Sequence, residues 1–84
     1  MYYLYIAQCA DTTLYTGITT NLTRRLVEHN TSTKGAKYTR TRRPVVFIYS
    51  RRFKNRSRAT KEEARIKKLS RLQKLLLIKT NKKA

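Results

Sequence analysis

Acidic side chains are scarce in this sequence. Its 84 residues include only four, Asp11, Glu28, Glu62 and Glu63, against 21 lysines and arginines, for a formal charge of +17. So lopsided a balance builds self-repulsion into any compact state unless a polyanion neutralises it, which makes nucleic acid the default partner. Cysteine is nearly absent, and the lone Cys9 excludes an internal disulfide and fits a reducing compartment. Long apolar runs are missing too. The longest aliphatic stretch, Leu75-Leu76-Leu77-Ile78, falls far short of the roughly 18 to 20 residues that cross a bilayer. The opening Met1 to Ile6 has neither the basic start nor the small-residue cleavage site of a signal peptide. A cytoplasmic protein without a membrane partner is expected. A chain of this length buries only about 60 to 65 per cent of its unfolded surface. Residues 1–84 are therefore expected to form a single domain, with residues 79–84 as a polar, frayed tail.

What is present is organised around Tyr15-Thr16-Gly17 and the segment that follows it. Residues 2–8 and 14–19 are rich in tyrosine and aliphatics, and the polar link Ala10 to Thr13 between them predicts a β-hairpin. Alternation puts Tyr3, Tyr5 and Ala7 on one face and Leu4 and Ile6 on the other. If odd positions pair with odd, Tyr5, Tyr15 and Gly17 share a surface. Asn21, or Thr20 before it, can cap a helix running to His29. At about 100° per residue, Leu22, Arg25, Leu26 and His29 form one stripe, whereas Arg24 and Glu28 point away. Arg25 then borders the buried face with few acids nearby, and a bound phosphate would partner it. A tyrosine, a glycine that permits close approach, and an arginine and histidine one helical turn apart suit a phosphodiester-cutting site.

From Asn30 to Arg43 the apolar periodicity stops. Lys34, Lys37, Arg40, Arg42 and Arg43 read either as a solvated loop or as a strap over a phosphate backbone, with Tyr38 placed to stack on a base. Pro44 introduces a strand from Val45 to Arg52 that is apolar on both faces and so expected at the centre of the sheet. Ser57 can cap a helix from Arg58 to Leu69, and Ser70-Arg71-Leu72-Gln73 has the form of a capping box. It opens a last helix with a wide apolar face of Leu72, Leu75, Leu76 and Ile78.

The pattern resembles the GIY-YIG nuclease family, above all its small stand-alone bacterial members. The likeness rests on Tyr3-Leu4-Tyr5 and Tyr15-Thr16-Gly17 as the two half-motifs and on Arg25 and His29 in the next helix. It continues through Gly35-Ala36-Lys37-Tyr38-Thr39, Arg43-Pro44-Val45, and Glu63 ahead of Ile66-Lys67-Lys68-Leu69. Tyr3 and Leu4 replace the glycine and isoleucine of the first half-motif, and Ile18 stands where some repair members have lysine. The resemblance implies an α+β fold, a small and mainly three-stranded antiparallel sheet flanked by helices. It also implies hydrolysis of DNA phosphodiesters with Mg²⁺ or Mn²⁺. Glu63 would hold the metal, Arg25 would stabilise the phosphate, Tyr5 or Tyr15 would position or deprotonate water, and His29 would assist.

Physical chemistry leaves several of these roles open. One Mg²⁺ takes most ligands from water and phosphate, so a single carboxylate can suffice. Equally, Glu63 could do no more than pair with Lys67 at i,i+4. A phenol with an ordinary pKa near 10 is an odd base, although surrounding cations favour the phenolate. His29 titrates in a more useful range. Strand tyrosines mostly pack, Gly17 could mark a bulge, and Arg25 could snorkel to solvent. The chemical alternative is a binding module that keeps the fold without cleaving. A third reading adds a protein partner that supplies substrate choice.

Overall fold

The computed structural model describes residues 1–31, 34 and 36–81. Gly35 of the motif-like stretch and residues 82–84 of the expected tail lie outside the described residues. Three strands and four helices follow one another as β1 (Tyr2–Gln8), β2 (Leu14–Thr19), α1 (Leu22–Thr31), α2 (Lys37–Arg40), β3 (Val46–Phe53), α3 (Arg56–Lys67) and α4 (Arg71–Asn81).

The strands form one antiparallel sheet in the order β2-β1-β3. The central strand is β1, not the strand after Pro44. The reason is visible in side-chain burial: Leu4, Tyr5, Ile6 and Ala7 are all at most 1% exposed, whereas Ser50, Arg51 and Arg52 put the second half of β3 in solvent. Charged side chains on an edge strand also discourage pairing with other chains. In the hairpin, Tyr5 pairs with Gly17 and Ala7 with Tyr15, so odd positions meet odd as alternation requires. The β1–β3 register shifts between Ile6 and Ala7.

The two faces of the sheet have separate cores. Leu4, Ile6, Tyr49, Ile66 and Ile78 pack on one side with α3 and α4. Tyr5, Ala7, Cys9 and Val45 pack on the other with Tyr15, Leu22 and Phe47, under α1. Thr16 belongs to the first side, where its hydroxyl is buried with no hydrogen-bond partner among the described residues. A buried hydroxyl left unpaired costs about 1 to 3 kcal/mol. Thr16→Val keeps the shape and removes the cost, so its melting temperature should rise by about 4 to 8 °C for each kcal/mol recovered. A lower melting temperature would mean that this hydroxyl finds a partner.

Helix ends follow the local chemistry of the chain. Asn21 Oδ1 accepts from the Arg24 N–H at 2.9 Å and caps α1. Ser70 and Gln73 close the capping box of α4 in both directions, at 2.9 and 3.2 Å. For α3 the cap is Asn55 and not Ser57. Its backbone is extended and its side chain accepts from the Arg58 N–H, which starts the helix at Arg56. The basic stretch expected to be irregular contains the short helix α2. Residues 79–81 belong to α4, and of its apolar face only Ile78 is buried, with Leu72 and Leu76 more than half exposed. No helix among the described residues is long and apolar enough to cross a membrane.

The hairpin turn is tied from outside. Asp11 Oδ1 accepts from the Thr13 N–H and hydroxyl, Arg42 pairs with the Asp11 carboxylate at 3.1 Å, and Arg71 donates to the Thr12 carbonyl at 2.7 Å. At the other end of the same layer Asn30 holds Val45: its Oδ1 accepts from the Val45 N–H at 2.7 Å and its Nδ2 donates to the Val45 carbonyl at 2.9 Å. This fixes the end of α1 against the start of β3.

Candidate active site

Tyr5 lies on the central strand and points toward α1. Its ring stacks on Phe47 at 4.3 Å and sits directly over Gly17. Gly17 has no positive φ, so it is neither strained nor specialised in backbone. What it supplies is space, because a Cβ there would fall 2.5 Å from the Tyr5 hydroxyl.

The Tyr5 hydroxyl reaches His29 Nε2 at 2.7 Å, and His29 Nδ1 reaches the Thr39 hydroxyl oxygen at 2.8 Å. Thr39 gives its own proton to the Ala36 carbonyl at 3.0 Å. The direction of the chain follows. With its proton engaged, the Thr39 oxygen can only accept, so His29 carries hydrogen on Nδ1 and Tyr5 donates to the bare Nε2. Both rings are neutral. Burial, then the positive field of Arg25, pushes His29 down to about 4, with Arg43 adding to the effect and Glu28 opposing it. Burial pushes Tyr5 up to about 12 in spite of Arg25 beside it. Arg25 does favour the phenolate, as the positive surroundings predict, but burial outweighs it at Tyr5. A protein-wide positive charge acts through water, while loss of hydration acts at the oxygen itself.

Arg25 borders this pair, its positive charge acting on the Tyr5 phenol. It also donates to Glu28 Oε1 at 3.0 Å and to the Lys34 carbonyl at 2.8 Å. Glu28 thus turns toward Arg25 instead of away from it, and Arg25 has a carboxylate partner in the free protein. Tyr15 is half-buried, edge-on to His29 at 5.6 Å. Its hydroxyl has no partner among the described residues, in contrast to that of Tyr5.

The structure therefore brings together Tyr5, Tyr15, Gly17, Arg25 and His29. Glu63 comes from α3, the layer on the other side of the sheet, with its carboxylate 3.3 Å from Lys67. Its charge nevertheless acts on the Tyr5 phenol and adds to the rise there. Glu62 faces elsewhere, bound to Arg65 at 2.6 Å. Among the described residues no three His, Cys, Asp or Glu side chains gather as a ready-made metal cage. A single carboxylate still suits a hard cation that keeps most of its waters, as Mg²⁺ and Mn²⁺ do.

The basic residues divide into two groups. Lys34, Lys37 and Arg40 are exposed. Arg42 and Arg43 are committed inward: Arg42 binds Asp11 and the Tyr38 carbonyl, and Arg43 donates to the His29 carbonyl at 2.6 Å. The Tyr38 ring stacks on Tyr15 at 5.9 Å and carries the Arg42 guanidinium at 4.1 Å. A base would have to displace one of them. Three supporting residues had no assigned role in the sequence reading: Phe47 beneath Tyr5, Thr39 behind His29, and Asn30 at the end of α1. Of these only Thr39 stood within a motif-like stretch.

Residues 1–75 match the family model described as the GIY-YIG catalytic domain. A UPF0213 protein of Desulfotalea psychrophila is 55% identical over 98% of this chain and 74% of its own, and one of Syntrophus aciditrophicus is 52% identical over 94% and 91%. The solution NMR structure of a protein from E. faecalis, 51% identical, superposes with a TM-score of 0.65 over 94% of this chain and 83% of that one. A UPF0213 protein from Bacillus halodurans, 40% identical, gives 0.63 over 96% and 86%. With two phenols from adjacent strands meeting the arginine and histidine of the next helix, and with likeness along nearly the whole chain, this protein belongs to the GIY-YIG family and groups there with the UPF0213 proteins.

Proposed function

We propose that the protein is a cytoplasmic, divalent-metal-dependent endonuclease that hydrolyses DNA phosphodiesters. The observation that carries this reading is the oriented chain from Tyr5 through His29 to Thr39 beside the Arg25 guanidinium. The unpartnered Tyr15 hydroxyl holds the attacking water. As the water loses its proton to the Tyr5 oxygen, Tyr5 passes its own to His29 Nε2, so no free phenolate has to form. Arg25 moves from Glu28 to the phosphate as negative charge develops. Glu63, paired with Lys67 in the free protein, would hold Mg²⁺ or Mn²⁺, which would neutralise phosphate charge and assist the leaving oxygen. Lys34, Lys37 and Arg40 hold the flanking backbone, while Arg42, Arg43 and Tyr38 keep the site's wall in place.

Purified protein should nick supercoiled or branched DNA with Mg²⁺ or Mn²⁺, and Arg25→Ala and Glu63→Ala should each lose at least about a hundredfold in rate, the low end of what a charge-stabilising group contributes. Cleavage that survives both substitutions would refute the assignment. DNA binding without turnover in the unaltered protein would favour a non-catalytic binding module. The paired states of Arg25 and Glu63 in the free protein are the feature that speaks for that reading.

A further inference from the structure

On the side of the sheet away from Tyr5, a groove of about 510 Å³ runs between the end of β3 and α3. Arg51 and Lys54 line one wall, and Arg58, Lys61 and Arg65 the other, while Arg52, paired with Tyr3, borders the groove from the strand's opposite face. The only acid in it, Glu62, is taken up by Arg65 at 2.6 Å and Arg51 at 3.7 Å. The side chains of Lys54, Arg58 and Lys61 have no ion-pair or hydrogen-bond partner among the described residues, and all three are exposed. Three such cations around one groove repel one another in the bare protein. The first turn of α3 adds to this, since it holds Arg56 and Arg58 and no acid, the reverse of what a helix dipole favours. An anion in the groove relieves both.

The dimensions say what kind of anion. From position 58 to 65 a helix advances about 10 Å, and from 51 to 54 a strand also advances about 10 Å. The groove is therefore a trough with matched basic walls. Consecutive phosphates of one strand of a nucleic-acid duplex rise about 3.4 Å each along the axis but lie roughly 7 Å apart along the winding backbone, so such a trough seats about two of them. A small phosphorylated metabolite would leave most of the walls unused, and a flat membrane surface would not enter between them.

We propose that this β3–α3 groove is a second DNA-backbone site, gripping about two phosphates of a segment other than the one presented to Tyr5. The proposal rests on the reading of DNA as the partner but not on cleavage. Two full-length variants with equal loss of charge test it, Lys54→Ala/Arg58→Ala/Lys61→Ala in the groove and Lys68→Ala/Lys74→Ala/Lys79→Ala outside it. Binding to a DNA duplex is measured over a salt series, with circular dichroism to verify folding. The groove variant should show a slope of log affinity against log salt shallower by about 2, while the outside variant stays within about 1 of the unaltered protein. Equal slopes in the two variants overturn the proposal. So does unchanged duplex binding by a groove variant that has lost affinity for anionic phospholipid vesicles. Failure of the unaltered protein to bind DNA at all overturns the parent reading as well, whereas groove-independent binding removes only this one.

Discussion

Gly17→Ala is expected to lower the melting temperature by roughly 10 °C and to abolish cleavage. The added methyl carbon would meet the Tyr5 hydroxyl at 2.5 Å and its Cζ at 2.7 Å, so something has to move. Tyr5 cannot swing aside cheaply. It is 1% exposed, stacked on Phe47 and bonded to His29. Overfilling a packed site costs typically about 1 to 3 kcal/mol, and for a domain of this size each kcal/mol corresponds to about 4 to 8 °C. The same displacement breaks the 2.7 Å contact with His29 on which the proposed proton route depends. Combining Gly17→Ala with Tyr5→Phe removes the closest of the clashing atoms and leaves the next. The double variant should therefore be more stable than the sum of the two single effects predicts. Strict additivity would show that the ring and the glycine do not press on each other.

Acid should weaken the fold before Asp11 and Glu62 titrate. An imidazole has an ordinary pKa near 6.5, and His29 in the folded protein is pushed down to about 4. Between those values the unfolded chain takes up a proton that the folded chain refuses, so stability falls as pH falls. From pH 8 to pH 5 the loss should be about 2 kcal/mol. Asp11 and Glu62 are held below their ordinary values by Thr13 and Arg65 respectively, which keeps their own protonation below this window. At the other extreme, Tyr5 keeps its proton to about 12. The unfolded chain has already released its proton by then, so stability should fall again as pH rises above 10. Chemical denaturation of the protein and of His29→Gln across pH 5 to 8 checks the acid limb. The variant should be less stable at pH 8 but nearly flat over the range. Parallel curves would mean that His29 is not a buried neutral base.

The hairpin and its register were readable because alternation in residues 2–8 and 14–19 is strong and the link between them is short. Once odd positions meet odd, Tyr5, Tyr15 and Gly17 must share a face. Helical spacing then delivers Arg25 and His29 to the same side. What alternation does not contain is the order of strands. The strand after Pro44 is apolar on both faces in its first half, but its second half is Ser50-Arg51-Arg52 and cannot be enclosed from both edges. Nor could the ionisation of Tyr5 be read from the charge count, since it depends on how thoroughly the hydroxyl is dehydrated. Asn55 and Ser57 are both competent caps, and only the extended backbone at Asn55 decides between them. Glu28 could have been paired with Arg25 from the i,i+3 spacing alone. Glu63 was identified by its place in a pattern. Its approach from the far layer is a matter of how α3 lies across β1 and β2, which no local spacing encodes.

Position 30 has no near-synonym among the amino acids. The two hydrogen bonds to Val45 use both ends of one primary amide, so the side chain imitates a neighbouring strand for a single residue. Aspartate would offer two oxygens and no hydrogen to give, and glutamine would arrive one methylene too far out. The tolerance of this scaffold to drift is thus set as tightly by one inconspicuous carboxamide as by the aromatic pair it stands behind.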